Sequence, residues 1–256
     1  MAYAMITGAS GGIGKELADV FAANGFDLVI IARNREALET MKKDIENRHN
    51  RKVLLIPKDL TEPDAIDSVK EILDSDHIFP DVLVNNAGFG DKAAFVDSDW
   101  DRQENMVRLN ILTLMKMTYV FGKEMKQRGH GRILNLASVA AFSGGPFMSV
   151  YYASKAFALS FSQSVNAELG PYGVTVTALC PGPTITGFEK AAGMKHSKMF
   201  SLMPQKPRDV AYAGYKACMR GQAVKYHSPV TYGFNILSRI LPRSAACRLA
   251  ENIDGK

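Results

Sequence analysis

The stretch MAYAMITGASGGIGKELADVF, Met1 to Phe21, combines a short apolar run, four glycines between Gly8 and Gly14, and then apolar residues at helical spacing. Ala2 to Thr7 has the composition of a short buried strand. Ile13, Leu17, Val20 and Phe21 mark one face of a helix over Ile13 to Ala23. The glycines therefore fall in a strand-to-helix turn. At such a turn the helix N-terminus aims unpaired N–H groups and its positive dipole end into the loop, which suits a pyrophosphate that side chains would otherwise block. A glycine-rich turn with no ligand reads the same way locally, so the rest of the chain has to decide.

Further along, apolar runs of strand length alternate with amphipathic stretches of helix length. The strands are expected at Asp27 to Ala32, Lys52 to Ile56, Asp81 to Val84, Arg132 to Leu136 and Val174 to Leu179. Rich in Val, Ile and Leu with little alternation, they suit strands buried on both faces. Helices are expected at Arg35 to Asn47, Pro63 to Ser75, Asp101 to Gln127 and Tyr151 to Leu169. This order implies an α/β fold, a doubly wound parallel sheet with helices on both faces and right-handed crossovers. Ligands of such sheets bind outside the carboxyl ends of the strands, where the glycine loop lies, so a dinucleotide is the expected ligand. The acid that would hold a ribose 2′-hydroxyl after the second strand is replaced by Ala32, followed by Arg33, Asn34 and Arg35. An arginine there accepts a 2′-phosphate, which favours NADP(H) over NAD(H).

Composition narrows the class. The 256 residues suit one large α/β domain spanning 1–256, and 46% hydrophobic with 22% charged residues is the balance of an ordinary globular protein. A net charge of +5 comes from scattered lysines and arginines with no run of five or more, so neither a nucleic-acid nor a membrane patch is expected from charge. Ile133 to Ser154 is uncharged but contains Asn135, Gly144, Gly145 and Pro146, so no transmembrane segment is expected. No signal peptide is read, so a cytoplasmic location is expected. Cys180, Cys218 and Cys247 lack metal or disulfide spacing, and no metal site is expected.

A second stretch, SVYYASKAFALSFSQSV, places Tyr151 and Lys155 four residues apart on one helix face. A nearby ammonium favours the phenolate and draws the tyrosine down from about 10 toward the working pH, as a general acid/base requires. Tyr152 lacks such a neighbour and reads as packing. The pair acquires specificity from its surroundings, because the sequence resembles the short-chain dehydrogenase/reductase family over nearly its whole length. TGASGGIG (Thr7 to Gly14) is similar to that family's TGxxxGxG loop, Asp59–Leu60 to its adenine-binding acid motif, Asn85 to Gly88 (NNAG) to its fourth-strand motif, and PGPTIT (Pro181 to Thr186) to its nicotinamide-wrapping segment. Asn110, Ser138, Tyr151 and Lys155 match the catalytic tetrad.

The resemblance implies a Rossmann-like fold in which Gly8, Ser10, Gly12, Ile13, Gly14, Arg33, Asn34, Asp59, Leu60, Asn86, Ala87, Gly88, Tyr151, Lys155, Pro181, Gly182, Thr184 and Thr186 bind NADP(H). Tyr151 would give a proton to a substrate carbonyl, Ser138 would hold its oxygen, Lys155 would also bond the nicotinamide ribose, and Asn110 would hold a water of a proton relay.

The family's substrate lid would lie at 187–204, where Phe188, Met194, Met199, Phe200, Leu202 and Met203 suggest an apolar carbonyl or alcohol substrate, with Phe89, Phe142, Phe147 and Met148 facing the same cleft. Lys190, Lys195 and Lys198 leave open a 3-ketoacyl thioester on a carrier or coenzyme A. A non-catalytic NADP(H)-binding regulator is the alternative of a different class. The tail at 229–252 departs from the family's pattern. Beyond a brief strand at Val224 to Tyr226, Phe234, Ile236, Leu237, Ile240 and Leu241 suggest an amphipathic helix ended by Pro242. It would cover the cleft, join two subunits, or rest on a membrane surface. A homodimer or homotetramer is expected from the resemblance, and the terminal DGK is expected to be disordered.

Overall fold

A computed structural model describes residues 2–194 and 204–254. Among these residues seven parallel strands form one sheet: β1 (Tyr3–Thr7), β2 (Asp27–Ala32), β3 (Val53–Pro57), β4 (Val82–Asn85), β5 (Gly131–Leu136), β6 (Val174–Cys180) and β7 (Val224–Tyr226). Their spatial order is β3-β2-β1-β4-β5-β6-β7. The chain winds outward from β1 in one direction and from β4 in the other, so the switch point lies between them.

The lack of alternation in the strands has a direct cause. Ala4 and Ile6 of β1, with Leu28 and Ile30 of β2, pack on one layer made by α1 (Gly12–Ala23), α2 (Arg35–His49) and a helix at Pro207–Met219. Met5, Val29 and Ile31, one residue out of phase, pack on the other with α3 (Ala65–Ser75) and Met117, Phe121 and Met125. With both faces covered, the middle positions of the central strands are buried and mostly apolar on both sides.

The helix expected at Asp101 to Gln127 is not continuous. It consists of α4 (Trp100–Val107), a π-helical segment (Arg108–Thr113) and α5 (Leu114–Arg128). π segments interrupt α-helices at functional sites, and this one carries Asn110. After β5 come α6 (Ser149–Leu169), then β6, the short α7 (Phe188–Ala191), α8 (Pro207–Met219), β7, α9 (Pro229–Ile240) and α10 (Arg243–Asp254). The tail thus holds two helices separated at Pro242. The first is capped by Ser228, whose hydroxyl accepts from the Thr231 N–H at 3.2 Å. The last two residues of DGK lie outside the described part.

Side chains lock the strand ends at the switch point. The buried Thr7 hydroxyl donates to Val84 O at 3.2 Å and accepts from the N–H groups of Asn86 and Ala87, each at 3.0 Å. In return, the Asn86 amide donates to Thr7 O at 2.9 Å and Gly8 O at 3.1 Å. Replacing Thr7 by the isosteric valine removes three hydrogen bonds and takes the acceptor from the Ala87 N–H, whereas the Asn86 N–H keeps Val84 O at 3.1 Å. Thr7→Val is expected to lower the unfolding free energy by about 1–3 kcal/mol, measured in urea, and a change below about 0.5 kcal/mol would show that the lock carries little energy.

Candidate active site

Gly8 and Gly12 both adopt left-handed backbone, with φ of 65° and 54°. This conformation is open to glycine at little cost and turns β1 into α1 within five residues. Gly11 precedes the helix and offers no side chain to its first N–H groups, which stay directed into the loop. Gly14 serves a different purpose. A Cβ there would strike Gly8 O and the Asn86 amide, so this glycine lets α1 press against the lock and does not itself line the cleft.

Two adjoining cavities open along the carboxyl ends of the strands. One, of about 320 Å³, is bordered by Gly8, Gly12, Ile13, Asn86, Ala87 and Gly88 at one side, by Ser138, Tyr151 and Lys155 at the other, and by Pro181, Gly182, Thr184 and Thr186. The second, of about 920 Å³, is bordered by Ser10, Arg33, Asn34, Asp59 and Leu60. Gly8, Gly11, Ala87, Gly88 and Phe89 border both, so the two form one groove. Every cofactor residue expected from the sequence except Gly14 lines it.

At the inner end, Lys155 is almost wholly buried, and its ammonium donates to Leu136 O at 2.8 Å, anchoring it to the end of β5. Its nitrogen lies 5.8 Å from the centre of the Tyr151 ring. Burial pushes the Lys155 amine from 10.5 down to about 8. Beneath it, burial pushes the Cys180 thiol up to about 12, outweighing a hydrogen bond from the Ser138 backbone and the attraction of Lys155. The sulfur is therefore a neutral thiol, and the lysine charge keeps its electrostatic reach into the groove. The Ser138 hydroxyl accepts from Ala140 N–H at 3.1 Å, capping the turn Val139–Phe142 and fixing its own orientation.

Asn110 stands behind this group and does not border the groove. Its amide donates to Phe89 O at 2.9 Å and to the Ser154 hydroxyl at 3.0 Å, while its oxygen accepts from Phe89 N–H at 3.1 Å. Both amide protons are committed, and the carboxamide ties the strip after β4 to α6 next to Lys155.

Other expectations change as well. Phe142 packs against Tyr226, ring centres 5.8 Å apart, and Phe147 adopts left-handed backbone with its carbonyl bonded to Ala93 N–H, so neither lines the cleft. Phe89 and Met148 do, joined by Phe188 and Met194. Phe188 lies over Tyr151 with ring centres 5.2 Å apart. Tyr152 is buried in one cluster with Met148 and Ala250 and also borders the inner cavity. Lys195, Lys198, Met199, Phe200, Leu202 and Met203 lie outside the described residues. The Asn34 side chain accepts from Ala37 N–H at 3.0 Å and so caps α2.

Arg33 is 81% exposed, its guanidinium 3.7 Å from Asp59. Burial works to raise the Asp59 carboxyl, but hydrogen bonds from Thr61 and the charge of Arg33 prevail and hold it below the usual range. Two cations of the outer groove were missed from sequence. Lys58 lines it beside Asp59, and Arg102 crosses it, bonding Asp91 at 2.6 Å and Ala191 O of α7 at 2.9 Å. No motif marks either, since both are read only from what the strand ends bring together. Among the described residues no cluster of three or more His, Cys, Asp or Glu can hold a metal ion.

Set beside known proteins, residues 2–196 match the model of the short chain dehydrogenase family. The 17-beta-hydroxysteroid dehydrogenase type 3 of Mus musculus is 32% identical over 219 residues, which cover 84% of this chain and 71% of the relative. The probable oxidoreductase EphD of Mycobacterium tuberculosis is 30% identical over 257 residues, covering 93% of this chain, which spans only 43% of that longer protein. Among solved structures, a short-chain dehydrogenase from Sphingobium yanoikuyae in complex with NADPH superposes with a TM-score of 0.83 at 30% identity, covering 93% of this chain and 94% of the other. The extent of the family match, carried on a fold whose glycine turn and Tyr–Lys helix meet in one groove, shows that the chain belongs to the short-chain dehydrogenase family.

Proposed function

We propose that the chain is an NADP(H)-dependent oxidoreductase that interconverts an apolar ketone and its secondary alcohol. One observation carries this reading: Ser138, Tyr151 and Lys155 border the same groove as the glycine loop, at the opposite end from Arg33 and Asp59. The groove fits a dinucleotide. Gly11 has open space where a side chain would stand, and α1 presents its uncapped N–H groups there. Arg33, with Lys58 beside it, supports a 2′-phosphate, and the NADPH complex of the Sphingobium relative points the same way. The bound nicotinamide supplies the hydride.

The protein's own part is proton transfer and charge. The Tyr151 hydroxyl gives its proton to the substrate oxygen, Ser138 donates a hydrogen bond to the same oxygen, and the phenolate left behind is steadied by the Lys155 ammonium. Lys155 therefore has to carry charge in a place that disfavours it. Leu136 O compensates in part. Phe89, Met148, Phe188 and Met194 exclude water and favour an apolar substrate, in keeping with a relative named for a hydroxysteroid. Leu112, Met115 and Tyr119, exposed at helical spacing on the π segment and α5, support a homodimer through that face.

Three outcomes test this reading. Tyr151→Phe is expected to lower reductase turnover by about 10²–10⁴-fold with NADPH binding kept, and near-normal turnover would remove Tyr151 as the acid. Arg33→Ala is expected to weaken NADPH about ten- to hundredfold and leave NADH unchanged, measured by nicotinamide fluorescence. An unchanged preference would mean that Arg33 serves only Asp59. For Lys155, the folded value of about 8 lies below the ordinary 10.5. Between them the unfolded chain binds more protons, so stability rises with pH, by up to about 3 kcal/mol, and this gain is lost as pH falls through 8. Relative to a Lys155→Met variant, the wild type is expected to gain stability across that window, and a constant difference would show that the lysine is not held in a desolvated site.

A further inference from the structure

The amphipathic pattern of α9 is turned inside out. A surface helix ordinarily sets its apolar stripe against the core. Here the inward residues are polar: Thr231 and Asn235 are 2% and 5% exposed, and Thr231 lies where a side chain on Gly182 would point. On the opposite side, Pro229, Val230, Gly233, Ile236, Leu237 and Ile240 fall within an arc of roughly 120° at 100° per residue, and all are exposed. Ile240 is 75%, Val230 54%, Leu237 42% and Ile236 41% exposed. Scattered exposed apolar residues are ordinary, but a helix face without a polar residue over three turns is a docking surface.

Charge indicates the occupant. From residue 210 to residue 250 the sequence has no Asp or Glu, against Lys216, Arg220, Lys225, Arg239, Arg243 and Arg248. Arg239 and Arg243 are exposed and bracket Ile240 and Leu241 at the end of the helix. Their long side chains reach a headgroup layer while the neighbouring apolar residues enter the acyl boundary. A second copy meeting this face about a two-fold axis would instead bring the two arginine pairs together with no acid from the segment to offset them.

We propose that the outer face of α9 seats the protein on an anionic lipid surface. The helix lies against the Gly182 segment that borders the inner cleft, so docking sets the mouth of the groove near the bilayer, where apolar ketones and alcohols concentrate. The docking itself does not depend on the proposed reaction.

Co-sedimentation of the full chain with vesicles tests it. Binding to phosphatidylcholine containing about a third phosphatidylserine is expected to exceed binding to phosphatidylcholine alone by about tenfold or more, and to weaken in high salt. The double variant Ile236→Glu, Ile240→Glu changes only exposed side chains. It is expected to lose vesicle binding by about tenfold or more while its NADPH affinity and its oligomeric state in solution stay unchanged. Arg239→Gln, Arg243→Gln is expected to remove the preference for the anionic lipid. No binding to either vesicle, or equal binding to both, would overturn the proposal. A change of oligomeric state in the glutamate variant without vesicle binding would overturn it in favour of a contact between subunits.

Discussion

The geometry of the groove depends on one hydroxyl and one amide meeting at the switch point. Thr7 ends β1, Asn86 follows β4, and their five hydrogen bonds set the distance between the two strand ends from which the winding diverges. Gly14 brings α1 down onto the same pair. The floor of the groove, its glycine wall and the strip from Ala87 to Phe89 are thus one mechanical unit. Asn110 then carries the unit across to α6 through Phe89 and Ser154, so the two ends of the groove are braced together through four elements of the fold.

Against that rigid frame, the lysine is the costly component. Its burial lowers its affinity for a proton, yet the chemistry proposed for Tyr151 needs the proton in place. The fold resolves this by giving the ammonium a backbone carbonyl to hold and by keeping the nearby thiol neutral, so the charge is neither released to water nor cancelled by a partner. Local instability at this point is what a site for proton transfer requires.

Much of the fold was legible in the sequence because a parallel sheet covered on both faces imposes a simple pattern. The inner strands had to be rich in apolar residues on both faces, and β1 to β6 were read within a residue or two of their observed ends. The glycine turn was legible for the same kind of reason, since left-handed backbone at Gly8 and Gly12 leaves little choice of residue. The interruption at Arg108–Thr113 was not, because a π segment keeps the helical recurrence of apolar residues and differs only in its hydrogen bonds. Phe142 and Phe147 were misplaced because their loop is defined by distant contacts with Tyr226 and Ala93, which no local spacing encodes. In the tail, the apolar periodicity of α9 was visible, but periodicity alone does not say which way a helix faces. Thr231 and Asn235 on the inner side became informative only once β7 and the Gly182 segment were in place.

The outer strands carry a consequence of another kind. A sheet open at both ends exposes unpaired backbone along each margin, which is a template for adding foreign chain. At one margin stands β3, which closes with Pro57 and so has no N–H to offer at its last position; at the other stands β7, only three residues long. Each margin is thereby shortened as a template for another strand. Lateral growth into aggregates is thus discouraged at the two borders, by a single imino acid at one and by brevity at the other.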